Sequence, residues 1–301
     1  MTITLSKPVP SFNFTTSNLE ILPVTLTATN TTIGSNVTYS WSFGNATSTQ
    51  PNPTNNFTSG GIYTIKLVAT NASGSDSAIK ELRISPYPQA YSSYASGKLN
   101  LFAWEGDWQG NKVMILSRNS NLNRTTMFKW LRAMDSTYNF YKSCTGREPA
   151  PYAPMYINNR TVIADVPSTC GAGCGFVGAT GIEVQNSYFD QNYISINNNN
   201  EFDQLCFYEF GRNFWFYNSK IENQAPAFPV AGGYAVFMSY MARDATGVNP
   251  APFGGVPYNQ LVADLQSQID IYLASPSSNW ENTLGVYQGV PGTNTSAVGI
   301  F

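Results

Sequence analysis

Apolar and polar residues alternate along the first 86 residues. The alternation runs in short segments separated by turn-rich pieces such as TNTTIGSN and NASGSDS, and the segments are LEILPVTLTAT, VTYSWSF, IYTIKLVAT and AIKELRI. A period of two is typical of half-buried strands, and regular turn punctuation is typical of a sandwich. The pattern predicts an all-β sandwich over residues 1–86. One inward face is expected from Tyr63, Ile65, Leu67 and Ala69, opposite Tyr39, Trp41 and Phe43.

The hydrophobic pattern changes after this region. The Pro-, Ser- and Tyr-rich segment 87–97 is predicted to be an extended linker. A second domain is predicted over 98–285, followed by a C-terminal tail at 286–301. The chain is therefore expected to be a multidomain protein.

The second domain mixes strand and helix patterns. Strands are predicted around Trp104, at 113–116, at 160–166 and ending near Val184. A first helix is predicted from apolar residues spaced by three and four, namely Met127, Trp130, Leu131, Met134, Tyr138 and Tyr141. Thr145-Gly146 is expected to end it. Further helices are predicted at 202–218, 229–247 and 258–275, which together indicate an α+β domain.

Three stretches of the first domain carry a family resemblance. YSWSFGNA at 39–46, then NPTNNF, then GGIYTIKLVATNASGSDS at 60–77 resemble the PKD domain, an immunoglobulin-like sandwich. The resemblance implies that Trp41 is a core residue and that Gly44 lies in the following turn. Ser42 and Ala46 depart from the family, which often has Asp and Gly there. A spacer, adhesion or protein–protein role is implied.

The stretch FDQLCFYEFGRNFWFY at 202–217 carries a second resemblance. Together with the first helix, the Gly-rich CGAGCGFVGATGIEV and the AGGYAVFMSY helix, it resembles zincin-type metallopeptidases of the basic-secretory-protein and gluzincin groups. The resemblance places Tyr208 and Arg212 where the family has histidine ligands, and Glu209 at the general base. The third ligand would fall near Gly232 or Gly233. A zincin-like domain without its zinc ligands is implied, and hence a pseudoenzyme.

Glu209 and Arg212 are spaced by three residues, as in helical ion pairs. We expect these two side chains to pair in the space where zinc would lie. The alternative is an ordinary buried helix without protease ancestry. The two interpretations differ in history but both leave the helix as core structure.

The chain contains no histidine, which excludes His-based nucleophilic or metal catalysis. No metal and no cofactor are therefore expected, and the protein is predicted not to be an enzyme. The four cysteines allow one or two disulfides, free buried thiols or a thiolate metal site. Disulfides or thiols are favoured over metal for this set: Cys144, Cys170, Cys174 and Cys206.

Other chemistry is weighed on the acidic and aromatic residues. A carboxylate-based hydrolase would need two carboxylates to converge, with the WEGDW patch at 104–108 as the strongest candidate. The candidates are Glu105, Asp107, Glu183, Asp190, Glu201, Asp203 and Glu209. A glycan- or protein-binding groove formed by Trp104, Trp108 or Trp280 is the other alternative.

Composition and charge indicate an external location. Only 11% of the residues are charged, against roughly 25% in soluble proteins, and the net charge is −2. Nucleic acid is excluded as a partner by the lack of a basic field, and no segment is apolar enough to span a membrane. The N-terminus lacks a secretory signal pattern. We expect a structural or adhesive protein of the extracellular surface or of a virion, where it would be a minor component. Its expected partners are other surface or particle proteins, and glycans in the binding-module alternative.

Overall fold

Two units make up the chain, Met1–Gln89 and Ala90–Phe301. The structure is a computed structural model that describes residues 6–217, 228–279 and 281–283. The predicted tail at 286–301 therefore lies outside the described residues, as does Trp280.

The first unit is built from antiparallel strands in two sheets. The strands are β1 (Phe12–Thr16), β2 (Val24–Asn30), β3 (Thr38–Ser42), β4 (Thr47–Ser48), β5 (Thr54–Phe57), β6 (Gly61–Asn71) and β7 (Gly74–Ile84). One sheet has the order β1-β2-β5 and the other the order β4-β3-β6-β7. The predicted all-β sandwich agrees with these two sheets.

The core of the first unit is centred on Trp41. Its ring meets Phe12 edge-on at 5.0 Å between centroids and stacks on Phe43 at 6.1 Å. The indole N–H donates to the carbonyl of Gln50 at 3.0 Å, so the one polar atom of the buried ring is satisfied. On the neighbouring strand, Leu67 pairs with Trp41 and is also buried. The inward face predicted from the period of two is therefore confirmed, with Tyr39 and Tyr63 half-buried at its margin.

A third sheet, of seven strands, lies mostly in the second unit. Its strands are β8 (Tyr87–Ser93), β9 (Gly97–Glu105), β10 (Val113–Ser117), β11 (Tyr156–Ile157), β12 (Arg160–Val166), β13 (Gly173–Gly175) and β14 (Ile182–Gln185). The order is β13-β14-β12-β10-β9-β8, with β11 beside β12. The segment 87–97 was predicted to be a linker; instead, most of it forms β8, which is hydrogen-bonded to β9. Buried and exposed residues alternate along β8, as in a strand with one face toward the core, and the composition of the segment does not show this pattern.

The central strands β10, β12 and β14 are parallel, and β13 joins the edge of the sheet antiparallel to β14. Every residue of β10 is buried, and all but the first residue of β12. Near-continuous burial is typical of parallel strands covered by other elements. The edge position of β13 brings it next to the helices described below.

Five helices accompany the sheet within the described residues. They are α1 (Arg124–Thr145), α2 (Asn186–Asn199), α3 (Leu205–Asn213), α4 (Phe228–Thr246) and α5 (Tyr258–Ala274). All six apolar positions predicted for the first helix are buried in α1. The side chain of Asn123 caps its start by accepting from the N–H of Thr126 at 3.0 Å, and Gly146 ends it in a left-handed conformation at φ 66°. None of the described helices combines the length and the apolar character that a membrane crossing needs.

The helix α3 is shorter than the predicted 202–218. Phe202 lies outside it because its backbone bonds with Asn249 and Ala251 at 2.8 and 2.9 Å. The side chain of Asp203 then accepts from the N–H of Leu205 at 2.7 Å, and the helix begins at Leu205. The second unit is thus a mixed α/β domain in which α3 contacts β13, β14 and α4.

Candidate functional site

Glu209 is held against the edge strand β13. Its side chain is buried, and its Oε2 accepts a hydrogen bond from the backbone N–H of Gly175 at 2.7 Å. Burial raises the pKa of the Glu209 carboxyl, while the Gly175 N–H and the Arg212 guanidinium act in the opposite direction. The carboxylate therefore ties the helix to the strand.

Glycine on β13 is what allows this close approach. A Cβ on Gly175 would lie 2.4 Å from the backbone oxygen of Glu209 and 2.9 Å from Oε2. A Cβ on Gly173 would lie 3.2 Å from Cγ of Glu209. Gly173 and Gly175 therefore have a packing function, because side chains at these two positions would push α3 away from the strand.

Arg212 approaches Glu209 as expected from the spacing of three residues. Its Nε lies 3.8 Å from Oε2 of Glu209, which is an ion-pair distance and longer than a hydrogen bond. This Nε is buried and has no hydrogen-bond partner among the described residues. The two groups share one environment, and the charge of Arg212 faces the carboxylate without binding it directly.

The other positions of the zincin resemblance carry no metal-binding chemistry. Tyr208 lines a cleft, and Gly233 is buried on α4 without a side chain. A Cβ on Gly211 would lie 2.9 Å from Cα of Ala235, so α3 and α4 also pack through a glycine. Across the part of the chain that the structure describes, no three His, Cys, Asp or Glu side chains gather to form a possible metal site.

The cysteines separate into one disulfide and two thiols. Cys170 and Cys174 are bonded to each other, which closes the loop that leads into β13. Cys144 is an exposed free thiol at the end of α1, and Cys206 is a buried free thiol on α3. Burial raises the pKa of the Cys206 thiol well above its usual range. The thiolate metal site considered among the alternatives is therefore not formed by these four residues.

A cleft of about 510 Å³ opens beside the start of α3. It is lined by residues from α2, from the start of α3 and from the loops at 172 and 252–254: Ala172, Tyr188, Gln191, Asp203, Gln204, Leu205, Tyr208, Pro252, Phe253 and Gly254. Tyr188 and Phe253 are 40% and 58% exposed. Large apolar side chains left accessible beside a cleft of this size are typical of a ligand site.

Two of the three tryptophans predicted to form a binding groove, Trp104 and Trp108, lie within the described residues. Trp104 is only 1% exposed, packs edge-on against Phe128 at 6.3 Å, and donates to the hydroxyl of Ser117 at 2.9 Å. Trp108 is half-buried, donates to Asp135 at 2.8 Å and lies under the guanidinium of Arg132 at 4.3 Å. The prediction is wrong for Trp104, because its side chain points from β9 into the core. Trp108 packs against α1 through Asp135 and Arg132. Trp280 lies outside the described residues.

The candidate carboxylates are mostly committed to structural contacts. Glu105, the first acid of the WEGDW patch, pairs with Arg160 at 3.1 Å. Glu183 is fully buried and accepts from the hydroxyl of Tyr91 at 3.0 Å and the N–H of Tyr94 at 2.8 Å. Of the seven acidic candidates, Asp203 is the one that lines the cleft.

Asp165 is a buried carboxylate that the sequence pattern does not single out. It lies near the end of β12 and accepts two hydrogen bonds from Nη1 of Arg118 at 2.7 and 2.8 Å. Arg118 also binds the more exposed Asp190. Burial raises the pKa of Asp165 to about 6 despite the neighbouring guanidinium. The signal available in the sequence is one acidic residue within the otherwise apolar run TVIADV.

Comparison with known proteins assigns the first unit. The family model for the PKD domain matches residues 11–84. The PKD1 domain of Vibrio anguillarum Epp is 24% identical, over 27% of this chain and 96% of that one, with a TM-score of 0.24. The PKD1 domain from the Vibrio cholerae metalloprotease PrtV is 30% identical, over 26% of this chain and 98% of that one, with a TM-score of 0.23. Among curated protein sequences, none is significantly similar to the chain.

Proposed function

Because residues 11–84 are a PKD domain, we propose that the chain is a non-catalytic adhesion or binding protein of an external surface. PKD domains are often adhesive or binding modules in extracellular proteins. The low charge content of 11% agrees with a surface whose polarity comes from Asn, Ser and Thr. The second unit then supplies the more specialised binding surface.

The observation that supports the absence of catalysis is the position of Glu209. A general base must reach the proton that it abstracts. The Glu209 carboxylate is 5% exposed, bonds the N–H of Gly175 and faces Arg212. Its hydrogen-bonding capacity thus serves the attachment of α3 to the edge strand.

A zincin-like origin of the second unit is part of the proposal. Its support is the element order: a long helix α1, a mixed sheet, an antiparallel edge strand β13 next to α3, and then α4. Tyr208 and Arg212 occupy the positions that the resemblance gives to histidine ligands. A glycoside-hydrolase alternative has less support, since Glu105 is paired with Arg160.

Activity assays test this proposal directly. The purified chain is incubated with a peptidase and glycosidase substrate panel, with and without EDTA, and its metal content is measured. We expect no turnover above that of a heat-inactivated sample and no stoichiometric zinc. EDTA-sensitive proteolysis would overturn the non-catalytic proposal.

The proposed location is either a cell envelope or a virion, in which the chain would be a minor structural component. Mass spectrometry of purified particles and of envelope fractions distinguishes the two. Recovery of the protein in neither fraction would contradict the surface proposal.

A further inference from the structure

The cleft beside α3 is shaped by a fixed loop. Phe253 and Val256 exchange two backbone hydrogen bonds of 3.0 Å across Gly254 and Gly255, which have φ values of 60° and 80°. Positive φ at both central residues is the geometry of a tight type I′ turn. Phe253 therefore projects from a two-residue turn whose backbone bonds are satisfied.

The same loop is anchored to the start of α3. The backbone of Phe202 accepts from Ala251 at 2.9 Å and donates to Asn249 at 2.8 Å. Phe202 directly precedes Asp203, which lines the cleft and accepts from the N–H of Leu205, the first residue of α3. These two backbone hydrogen bonds hold the loop that carries Phe253 next to Asp203. Ligand binding therefore requires little ordering of this part of the site.

Polar groups in the cleft are free to bind a ligand. Within the described residues, the amides of Gln191 and Gln204 and the hydroxyls of Tyr188 and Tyr208 make no hydrogen bonds. Asp203 uses Oδ1 for the N–H of Leu205, and its Oδ2 accepts no bond from these residues either. These side chains come from α2 and from the start of α3. They provide donors and acceptors on the walls of one cleft.

From these features we propose that the cleft binds a neutral oligosaccharide, an inference that rests on the proposed binding function. Sugar rings present an apolar face that packs on aromatic side chains such as Tyr188 and Phe253, and hydroxyl groups that pair with amides and carboxylates. No Lys or Arg is among the described residues that line the cleft, and Asp203 is acidic, so anionic ligands are disfavoured. The volume of about 510 Å³ suits a short oligosaccharide.

Matched variants test the assignment. The intact chain is screened against a panel of neutral di- to tetrasaccharides of glucose, galactose, mannose, xylose and N-acetylglucosamine, and hits are measured by calorimetry. We expect Phe253→Ala and Tyr188→Ala each to weaken the binding constant about tenfold or more, since central aromatic contacts dominate such sites. Phe237→Ala is the control, because Phe237 is 51% exposed on α4 and does not line the cleft. Its affinity should stay within about twofold of the wild-type value.

The ligand has no charge, so the affinity should change little between about 0.05 and 0.5 M salt. Circular dichroism establishes that each variant is folded; both substitutions remove exposed side chains. Binding that is equally strong in Phe253→Ala would overturn the assignment, as would failure of every saccharide to bind. If a peptide library binds instead and the two cleft variants abolish that binding, the carbohydrate inference is wrong and the binding function stands. Turnover of a substrate by the wild type would overturn both.

Discussion

Replacing Gly175 with alanine is expected to destabilise the second unit, because this residue allows β13 and α3 to meet. The added Cβ would lie 2.4 Å from the backbone oxygen of Glu209 and 2.9 Å from its Oε2. Neither atom can easily move aside. The first belongs to the backbone, and the second accepts a hydrogen bond from the Gly175 N–H at 2.7 Å. The strand or the helix must therefore shift.

The cost follows from two effects. Overpacking of a filled interior costs about 1–3 kcal/mol, and loss of a hydrogen bond to a charged group adds about 1.5–3 kcal/mol if the shift breaks it. For the steric effect alone, a unit of this size should lose roughly 2–12 °C in Tm. The lower end applies if β13 relaxes outward, which its edge position permits.

Gly171→Ala provides the matched control. A Cβ there meets only the carbonyl oxygen of Gly173, at an ordinary 3.7 Å. This variant should be neutral, or more stable by up to about 1 kcal/mol through a stiffer unfolded chain. Five of the six tryptophans follow residue 90, so thermal unfolding monitored by intrinsic fluorescence reports mainly on the second unit. Equal stability of the Gly175→Ala and Gly171→Ala variants would refute the close-contact argument.

Three further outcomes are expected. A thiol reagent should label only the exposed Cys144 of the native protein, and the buried Cys206 should react only after unfolding without reductant. Rapid labelling of two cysteines in the native protein would contradict the burial of Cys206 on α3. The pKa of Asp165 is raised to about 6 from 3.8, so the folded state binds the proton more tightly than the unfolded state. The free energy of unfolding should therefore fall by about 3 kcal/mol as the pH rises from about 4 to 6. Asp165→Asn should abolish this decrease in urea titrations, and an unchanged pH dependence would exclude Asp165 as its source. Trp41→Ala should cost about 3–5 kcal/mol, seen as faster hydrogen exchange in peptides of the first unit, and unchanged exchange would contradict its central position.

Most of the β-sandwich could be predicted from sequence because its strands alternate. The side chains of Ile65, Leu67 and Ala69 are buried on one face as the period of two requires. The helix α1 was equally readable, since its apolar residues recur at spacings of three and four and Gly146 ends it. In both cases the signal is local, and packing agrees with it.

The helix α2 and the strand β8 were missed for physical reasons. The helix α2 is rich in Asn and Ser, which are poor helix formers, and it buries only Phe189, Asn192 and Ile196. This stripe is too narrow to stand out as helical periodicity. The strand β8 was missed because a Pro-, Ser- and Tyr-rich composition resembles that of a linker. Its place in the sheet depends on β9, a partner that the local sequence does not identify.

The candidate site was predictable only in part. The spacing of Glu209 and Arg212 indicated their proximity, which the structure shows at 3.8 Å. The cleft was not foreseen, because its residues come from four separate parts of the chain, from Ala172 to Gly254. The groove prediction failed for Trp104, because an aromatic residue in a strand packs in the core as readily as it binds a ligand.

The bond between Gly175 and Glu209 also constrains the design of a metal site on this domain. Tyr208→His and Arg212→His together would supply imidazoles, yet the carboxylate beside them would remain occupied by the strand. Removing Arg212 would also leave that buried carboxylate without its countercharge. Replacing Arg212 is thus costly while the strand contact is kept, so the effect of a substitution at 212 depends on the residues at 175 and 209. A library that varies 175, 208, 209 and 212 together is the appropriate starting point for such a design.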